Sequence, residues 1–112
     1  MKRRVLCLAF ALAAAGGAAQ AADWPAYFAA HYVCDGGLAI RVAYPVDPLA
    51  GHPVTLRYDG QRVTMQQAPS GSGARYGNRA RQLEWFIKGD EGMLIDTAAD
   101  RTTRCRTGPA RP

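Results

Sequence analysis

The chain has 112 residues, 48% of them hydrophobic and 21% charged, with a formal net charge of +5. That length allows one small domain with a modest core, of the size that often needs a covalent staple. The charge overstates the basicity. Once Lys2, Arg3 and Arg4 are set aside as a leader, 11 basic residues face 9 acidic ones, and a net of +2 without a basic stripe interleaved with aromatics argues against a nucleic-acid protein.

From the N-terminus, Lys2, Arg3 and Arg4 form a basic segment and Val5 to Ala15 an apolar one too short to span a bilayer. Ala19-Gln20-Ala21 then fits a small-x-small cleavage site. Residues 1–21 therefore read as a secretory signal, the mature chain starts at Ala22, and the expected compartment is the periplasm or beyond. Cys7 precedes most of the apolar run, so lipid anchoring is not expected. No membrane span is expected in the mature chain.

Asp23-Trp24-Pro25-Ala26 suits the start of a short helix, with Asp as N-cap and Pro in the first turn. Beyond it the pattern is all-β. Leu38, Ile40, Val42 and Tyr44 alternate with Ala39, Arg41 and Ala43, a period of two. Val54, Leu56 and Tyr58 repeat it, Asp59-Gly60 marks a hairpin turn, and Val63 and Met65 continue the inward face. Arg75-Tyr76 begins another strand, broken at Gly77-Asn78. Leu83, Trp85 and Ile87 then alternate with Glu84, Phe86 and Lys88. Gly89 to Gly92 reads as a turn, Met93 to Thr97 as a strand and Arg101 to Arg106 as the last strand. Arg101, Arg104 and Arg106 suit an edge strand guarded by charge. Seven or eight short strands with turns between them predict an antiparallel barrel or sandwich over residues 22–106, with 107–112 a frayed tail.

The mature segment keeps two cysteines, Cys34 and Cys105. An even count in an oxidising compartment implies a disulfide tying the first strand to the last. A two-cysteine metal site is the rival, and neither His31 nor His52 has metal-motif spacing to a cysteine.

Ser70-Gly71-Ser72-Gly73-Ala74-Arg75-Tyr76 stands apart. Glycines and serines build no core, yet the segment joins two strand-like runs where a plain turn would do. It reads as a protruding loop that presents a hydroxyl. Ser72 is flanked by glycines, but Ser70 and Ala74 occupy the outer positions where a nucleophile elbow needs glycine. The acidic residues sit mainly in turns, the histidines have no evident partner, and no phosphate loop or cofactor fingerprint is present. The expectation is a binding module without cofactor or metal, not an enzyme.

Several segments together resemble the bacterial inhibitors of c-type lysozyme, known in membrane-bound and periplasmic forms (MliC/PliC). They are Tyr32-Val33-Cys34-Asp35-Gly36-Gly37, the Ser70–Tyr76 segment, Trp85-Phe86-Ile87-Lys88-Gly89-Asp90-Glu91 and the closing Cys105, in the family's order. The resemblance implies an eight-stranded antiparallel barrel closed by a Cys34–Cys105 bridge. It also implies a loop that enters the lysozyme cleft, with Ser72 hydrogen-bonding the catalytic carboxyls and Lys88 adding a charged contact. Ser70, Gly71, Gly73, Arg75 and Tyr76 belong to the same expected contact. Arg75 either approaches the cleft or braces the loop, and Tyr76 is read as a loop anchor packing inward. Two departures stand out. Gly77 to Gln82 makes a longer connection than the family's usual turn, which threatens to displace Lys88 relative to Ser72, and Trp85-Phe86 reverses the common aromatic pair. The family's lysozymes are basic, so long-range steering is not expected and fit must supply the affinity.

Two other readings stay open. One is a periplasmic barrel that binds a small ligand or glycan in a cavity lined by Trp85, Phe86 and Tyr44. The other is an envelope scaffold with no inhibitory activity, indifferent to changes at Ser72.

Overall fold

A computed structural model describes residues 26–108. The leader, Cys7, the residues Asp23 to Pro25 expected to start a helix, and the last four residues of the tail lie outside that range. Eight strands run in chain order: β1 (Tyr27–Cys34), β2 (Ala39–Pro45), β3 (Val54–Tyr58), β4 (Gln61–Ala68), β5 (Ala74–Asn78), β6 (Leu83–Lys88), β7 (Glu91–Asp96) and β8 (Arg101–Thr107). Each pairs antiparallel with its neighbours, and β8 pairs back onto β1 to close the barrel. Only short 3₁₀ turns, Asp35–Gly37 and Pro48–Ala50, interrupt the pattern.

The period-two alternation sets which side chains fill the barrel. Ile40, Val42 and Tyr44 of β2, Val54 and Leu56 of β3, Val63 and Met65 of β4, Tyr76 of β5, Leu83 and Trp85 of β6 and Leu94 of β7 are all buried. Burying such a side chain is worth about 1.5–3 kcal/mol. Asp59 (φ 51°) and Gly60 (φ 72°) both take the left-handed region, as the two central residues of a type I′ hairpin must.

Four details differ from the sequence pattern. β5 runs through Gly77 and Asn78 instead of breaking there, because both pair with β6, at Glu84 and Leu83. The β6–β7 turn is only Gly89-Asp90, so β7 starts at Glu91, which pairs with Lys88. Arg106 does not guard an edge, since it pairs with Val33 of β1 and Glu91 of β7, whereas Arg101 and Arg104 lie on the stretch of β8 that pairs with β7 alone. Thr107, placed in the tail by the pattern, belongs to β8, and the Gly108 N–H donates to the His31 carbonyl at 2.9 Å.

Cys34 and Cys105 form a disulfide across 71 residues of sequence. The two are register partners at the β1–β8 seam, which has only three paired positions, so the bond reinforces one of the short ladders, the one that closes the barrel. A loop of that length corresponds to about 4 kcal/mol in the chain-entropy account.

The interior is filled. Trp85 has no exposed surface, and its Nε1–H donates to Tyr44 Oη at 2.8 Å. Tyr44 Oη also lies 2.9 Å from Tyr32 Oη, and the Tyr32 ring meets the Trp85 ring edge-on at 5.0 Å. Every polar atom of this aromatic cluster therefore has a partner, which removes the desolvation cost of burying it. Phe86 lies on the outer face with Glu84 and Lys88, not in a cavity with Trp85 and Tyr44.

Candidate functional site

In an up-and-down barrel alternate connections emerge at the same end. The β2–β3, β4–β5 and β6–β7 connections therefore share one rim, which carries the serine–glycine loop.

Ser70, Gly71, Ser72 and Gly73 are all exposed between β4 and β5. Ser70 Oγ–H donates to the Ser72 carbonyl at 2.7 Å, closing a tight local turn. Among the described residues the Ser72 hydroxyl has no hydrogen-bond partner. It is free to donate and accept outward.

Gly73 sets where that hydroxyl stands. Its φ is +69°, and a Cβ built on it would lie 2.3 Å from the Ile87 carbonyl oxygen, 3.2 Å from Phe86 Cζ and 3.3 Å from Lys88 Cβ. The loop is thus laid directly on the end of β6, in a conformation and a space that admit only glycine. Gly71 has nothing within 4 Å and no left-handed φ, so its role is slimness, not fit.

Lys88 belongs to the same rim. Ala74 pairs with Ile87, so one step further brings Gly73 level with Lys88. The longer connection does not displace it: β5 and β6 stay in register from Asn78–Leu83 to Ala74–Ile87, and the extra residues are taken up in the 79–82 turn at the opposite end. Lys88 is exposed, with Glu91 opposite it on β7, and among the described residues no carboxylate comes within 4 Å of its ammonium.

Arg75 and Tyr76 take supporting places. Arg75 Nε lies 3.9 Å from Glu84 Oε1 on the outer wall, an exposed pair worth little energy that points the guanidinium along β6. Of the two roles open to it, bracing is the one this geometry serves. Tyr76 is only 4% exposed and its ring stands 6.1 Å from that of Tyr44, so it anchors the loop from inside and offers no contact surface. Burial pushes its phenol above the ordinary tyrosine range, partly offset by a hydrogen bond with Gln67.

Sequence reasoning missed the apolar half of the rim. Leu49 is 93% exposed, and Phe28 and Val46 are also exposed. Leu49 is not loosely displayed. Its N–H donates to Asp47 Oδ1 at 3.0 Å, and Gln67 Nε2 donates to the neighbouring Pro48 carbonyl at 2.9 Å. That bond ties the β2–β3 connection to the strand leading into the serine–glycine loop. A hydroxyl, an ammonium and an apolar knob on one fixed rim are what a protein-binding surface needs. Among the described residues no cluster of His, Cys, Asp or Glu could hold a metal.

The chain is similar to known proteins in sequence and in fold. Residues 32–103 match the family described as membrane-bound lysozyme-inhibitor of c-type lysozyme. A relative from Cupriavidus necator, named as a membrane-bound lysozyme inhibitor of C-type lysozyme, is 35% identical over 91 residues, covering 77% of this chain and 70% of the relative. The crystal structure of Pseudomonas aeruginosa MliC in complex with hen egg white lysozyme has a similar fold. Its TM-score is 0.54 at 19% identity, over 90% of this chain and 97% of that one.

Proposed function

This chain belongs to the family of membrane-bound lysozyme inhibitors of c-type lysozyme, and from that membership we propose that it inhibits c-type lysozyme by filling the substrate cleft with its Ser70–Arg75 loop. It acts as a binding protein, not as an enzyme. The observation that carries the reading is the exposed, unpartnered Ser72 hydroxyl, held by Gly73 against β6 beside Lys88.

The chemistry follows from the target. A c-type lysozyme sets a protonated carboxylic acid opposite an ionised carboxylate across its cleft. A serine hydroxyl matches both, donating to the carboxylate and accepting from the acid. Gly71 and Gly73 keep the loop narrow enough to enter. Lys88, at the same rim, adds a charge-assisted bond to an acidic group at the cleft margin. Arg75 and Tyr76 hold the loop's base. Among the described residues buried side chains fill the barrel interior, which favours the rim over the lumen as the working surface.

The relative is named membrane-bound, which supports a site of action at the cell envelope for this chain as well. Among the described residues no helix is long and apolar enough to cross a membrane. The leader and its cleavage site after Ala21 support release into the periplasm.

Ser72→Ala tests the proposal. In a lysis assay with hen-type lysozyme it weakens inhibition by about 1–3 kcal/mol, the scale of leaving buried polar partners unsatisfied. Goose-type lysozyme serves as the control for class selectivity. Inhibition equal to that of the parent protein would remove Ser72 from this role.

A further inference from the structure

On the outer wall of β1–β4, His31 pairs with Arg41, Arg41 with Arg57 and Arg57 with Arg62. These four residues, spread over more than 30 positions of sequence, form one unbroken row across four strands. Adjacent inward positions are buried, so the row faces out, and its three arginines are exposed. Three inter-strand steps make it about 14 Å long. Like charges directly opposite each other destabilise a sheet. Among the described residues no carboxylate lies within 4 Å of any member to relieve them. Asp59, on the turn beyond Arg57, makes no ion pair with the row.

The row is also shaped. Between Arg41 and Arg57 is a depression of about 230 Å³ floored by Ala29, Ala43 and Thr55. On the other side of Arg57 a second one, of about 400 Å³, is bounded by Arg62 and the β3–β4 turn. Guanidinium forks match oxyanions in pairs. Two successive hollows, each between two arginines, suit acidic groups repeated along a chain.

We propose that His31, Arg41, Arg57 and Arg62 form a docking row for a flexible acidic polysaccharide. The row runs around the barrel, so a flat membrane surface meets only part of it, and a DNA duplex is too stiff to follow the curve. The first hollow offers methyl groups and a threonine hydroxyl, and Tyr58 in the second is a single ring, where single-stranded nucleic acid needs several aromatic faces to stack successive bases. Nor does the row serve the inhibitory contact. Arg62 lies six residues along β4 from Ala68, about 20 Å from the start of the serine–glycine loop. A bound polysaccharide therefore leaves the rim open, and the protein is held in an acidic matrix while its loop stays available.

The test uses the purified protein and a fluorescent oligogalacturonate, followed by anisotropy across a salt series. The parent protein binds it and does not bind a neutral dextran of equal length. Arg41→Gln with Arg57→Gln lowers affinity by about tenfold or more, and Arg62→Gln alone gives a smaller loss. Arg101→Gln with Arg104→Gln, the same charge change on β8, binds like the parent. Lysozyme inhibition is unchanged in all of these variants. Relief of like-charge crowding leaves the Arg41/Arg57 variant at least as thermally stable as the parent, so lost binding does not reflect unfolding. Equal binding by the Arg41/Arg57 variant, an equal loss in the β8 control, or preference for duplex DNA or anionic phospholipid vesicles would overturn the proposal.

Discussion

Gly73→Ala puts the geometry of the loop to a direct test, because its neighbour Gly71 supplies an internal control. At position 73 the backbone is left-handed, which costs an L-residue about 1–2 kcal/mol. The new methyl would also stand 2.3 Å from the Ile87 carbonyl oxygen, where ordinary contact begins at 3.4 Å. Ile87 cannot yield, since it is paired with Ala74 on one side and Gly92 on the other. The loop must therefore lift off β6 by about 1 Å, a displacement large enough to break a well-aligned hydrogen bond. Lysozyme titration should show inhibition weakened by about ten- to a hundredfold, the scale of losing the Ser72 contacts. Thermal unfolding should fall by roughly 5–15 °C for the strain alone. Gly71→Ala meets no atom within 4 Å and no left-handed φ, so its melting temperature should stay within a few degrees of the parent's. Parent-like inhibition by Gly73→Ala, or equal losses of stability in the two variants, would refute the claim that Gly73 seats the loop.

Other outcomes follow from the same structure. Lys88→Ala should weaken inhibition by about 1–2 kcal/mol and flatten its salt dependence, leaving barrel stability unchanged. An unchanged salt slope would remove the charged contact. Tyr44→Phe strands the Trp85 N–H and the Tyr32 O–H in the interior, so urea unfolding should show a loss of about 2–4 kcal/mol. A loss well under 1 kcal/mol would mean that the cluster relaxes around the missing hydroxyl. Alkaline pH should also destabilise the fold. Burial raises the pKa of Tyr44, Tyr32 and Tyr76, so the folded state holds their protons longer than the unfolded chain. That contribution is whole below about pH 10, the unfolded tyrosine value, and is lost above it at about 1.4 kcal/mol per pH unit per tyrosine. Urea midpoints that stay flat or rise above about pH 10 would contradict it.

Much of the barrel was legible because one face of each strand is buried, and burial enforces a period of two. The same period sets Phe86 outside with Glu84 and Lys88, so a cavity lined by Trp85 and Phe86 together was already at odds with the pattern. The continuation of β5 through Gly77-Asn78 was not legible. Glycine and asparagine are turn residues by local preference, and only pairing with β6 holds them extended. The shortened Gly89-Asp90 turn is the same case, decided by the Lys88–Glu91 pair. The serine–glycine loop could be read, but not its seat on β6, because Gly73 and Ile87 meet only through register. The arginine row was invisible for that reason too. Its members lie 5 to 16 residues apart in sequence, and nothing local relates them. Leu49 was missed because an apolar residue in a short turn carries no periodic signal.

Core and rim are joined through β6 as well as through Tyr76 of β5. Trp85 is anchored by its Nε1 to Tyr44 on β2, four strands away and so across the barrel from β6. It lies over Gly92 of β7, where a Cβ would come within 2.6 Å of Cη2, so β7 leaves out a side chain to admit the indole. β6 is therefore fixed at Trp85 from both the opposite wall and the adjacent strand. Two residues on, the carbonyl of Ile87 is the surface against which Gly73 rests, and Lys88 follows immediately. The loop itself has few bonds of its own, chiefly the one from Ser70 to the Ser72 carbonyl. Its position is inherited from Tyr76 at its base and from β6 beside it, and both are set by the aromatic cluster. That arrangement explains how so slight a loop can meet a partner already ordered: the entropy of holding Ser72 in place is settled when the barrel folds, not when the partner binds.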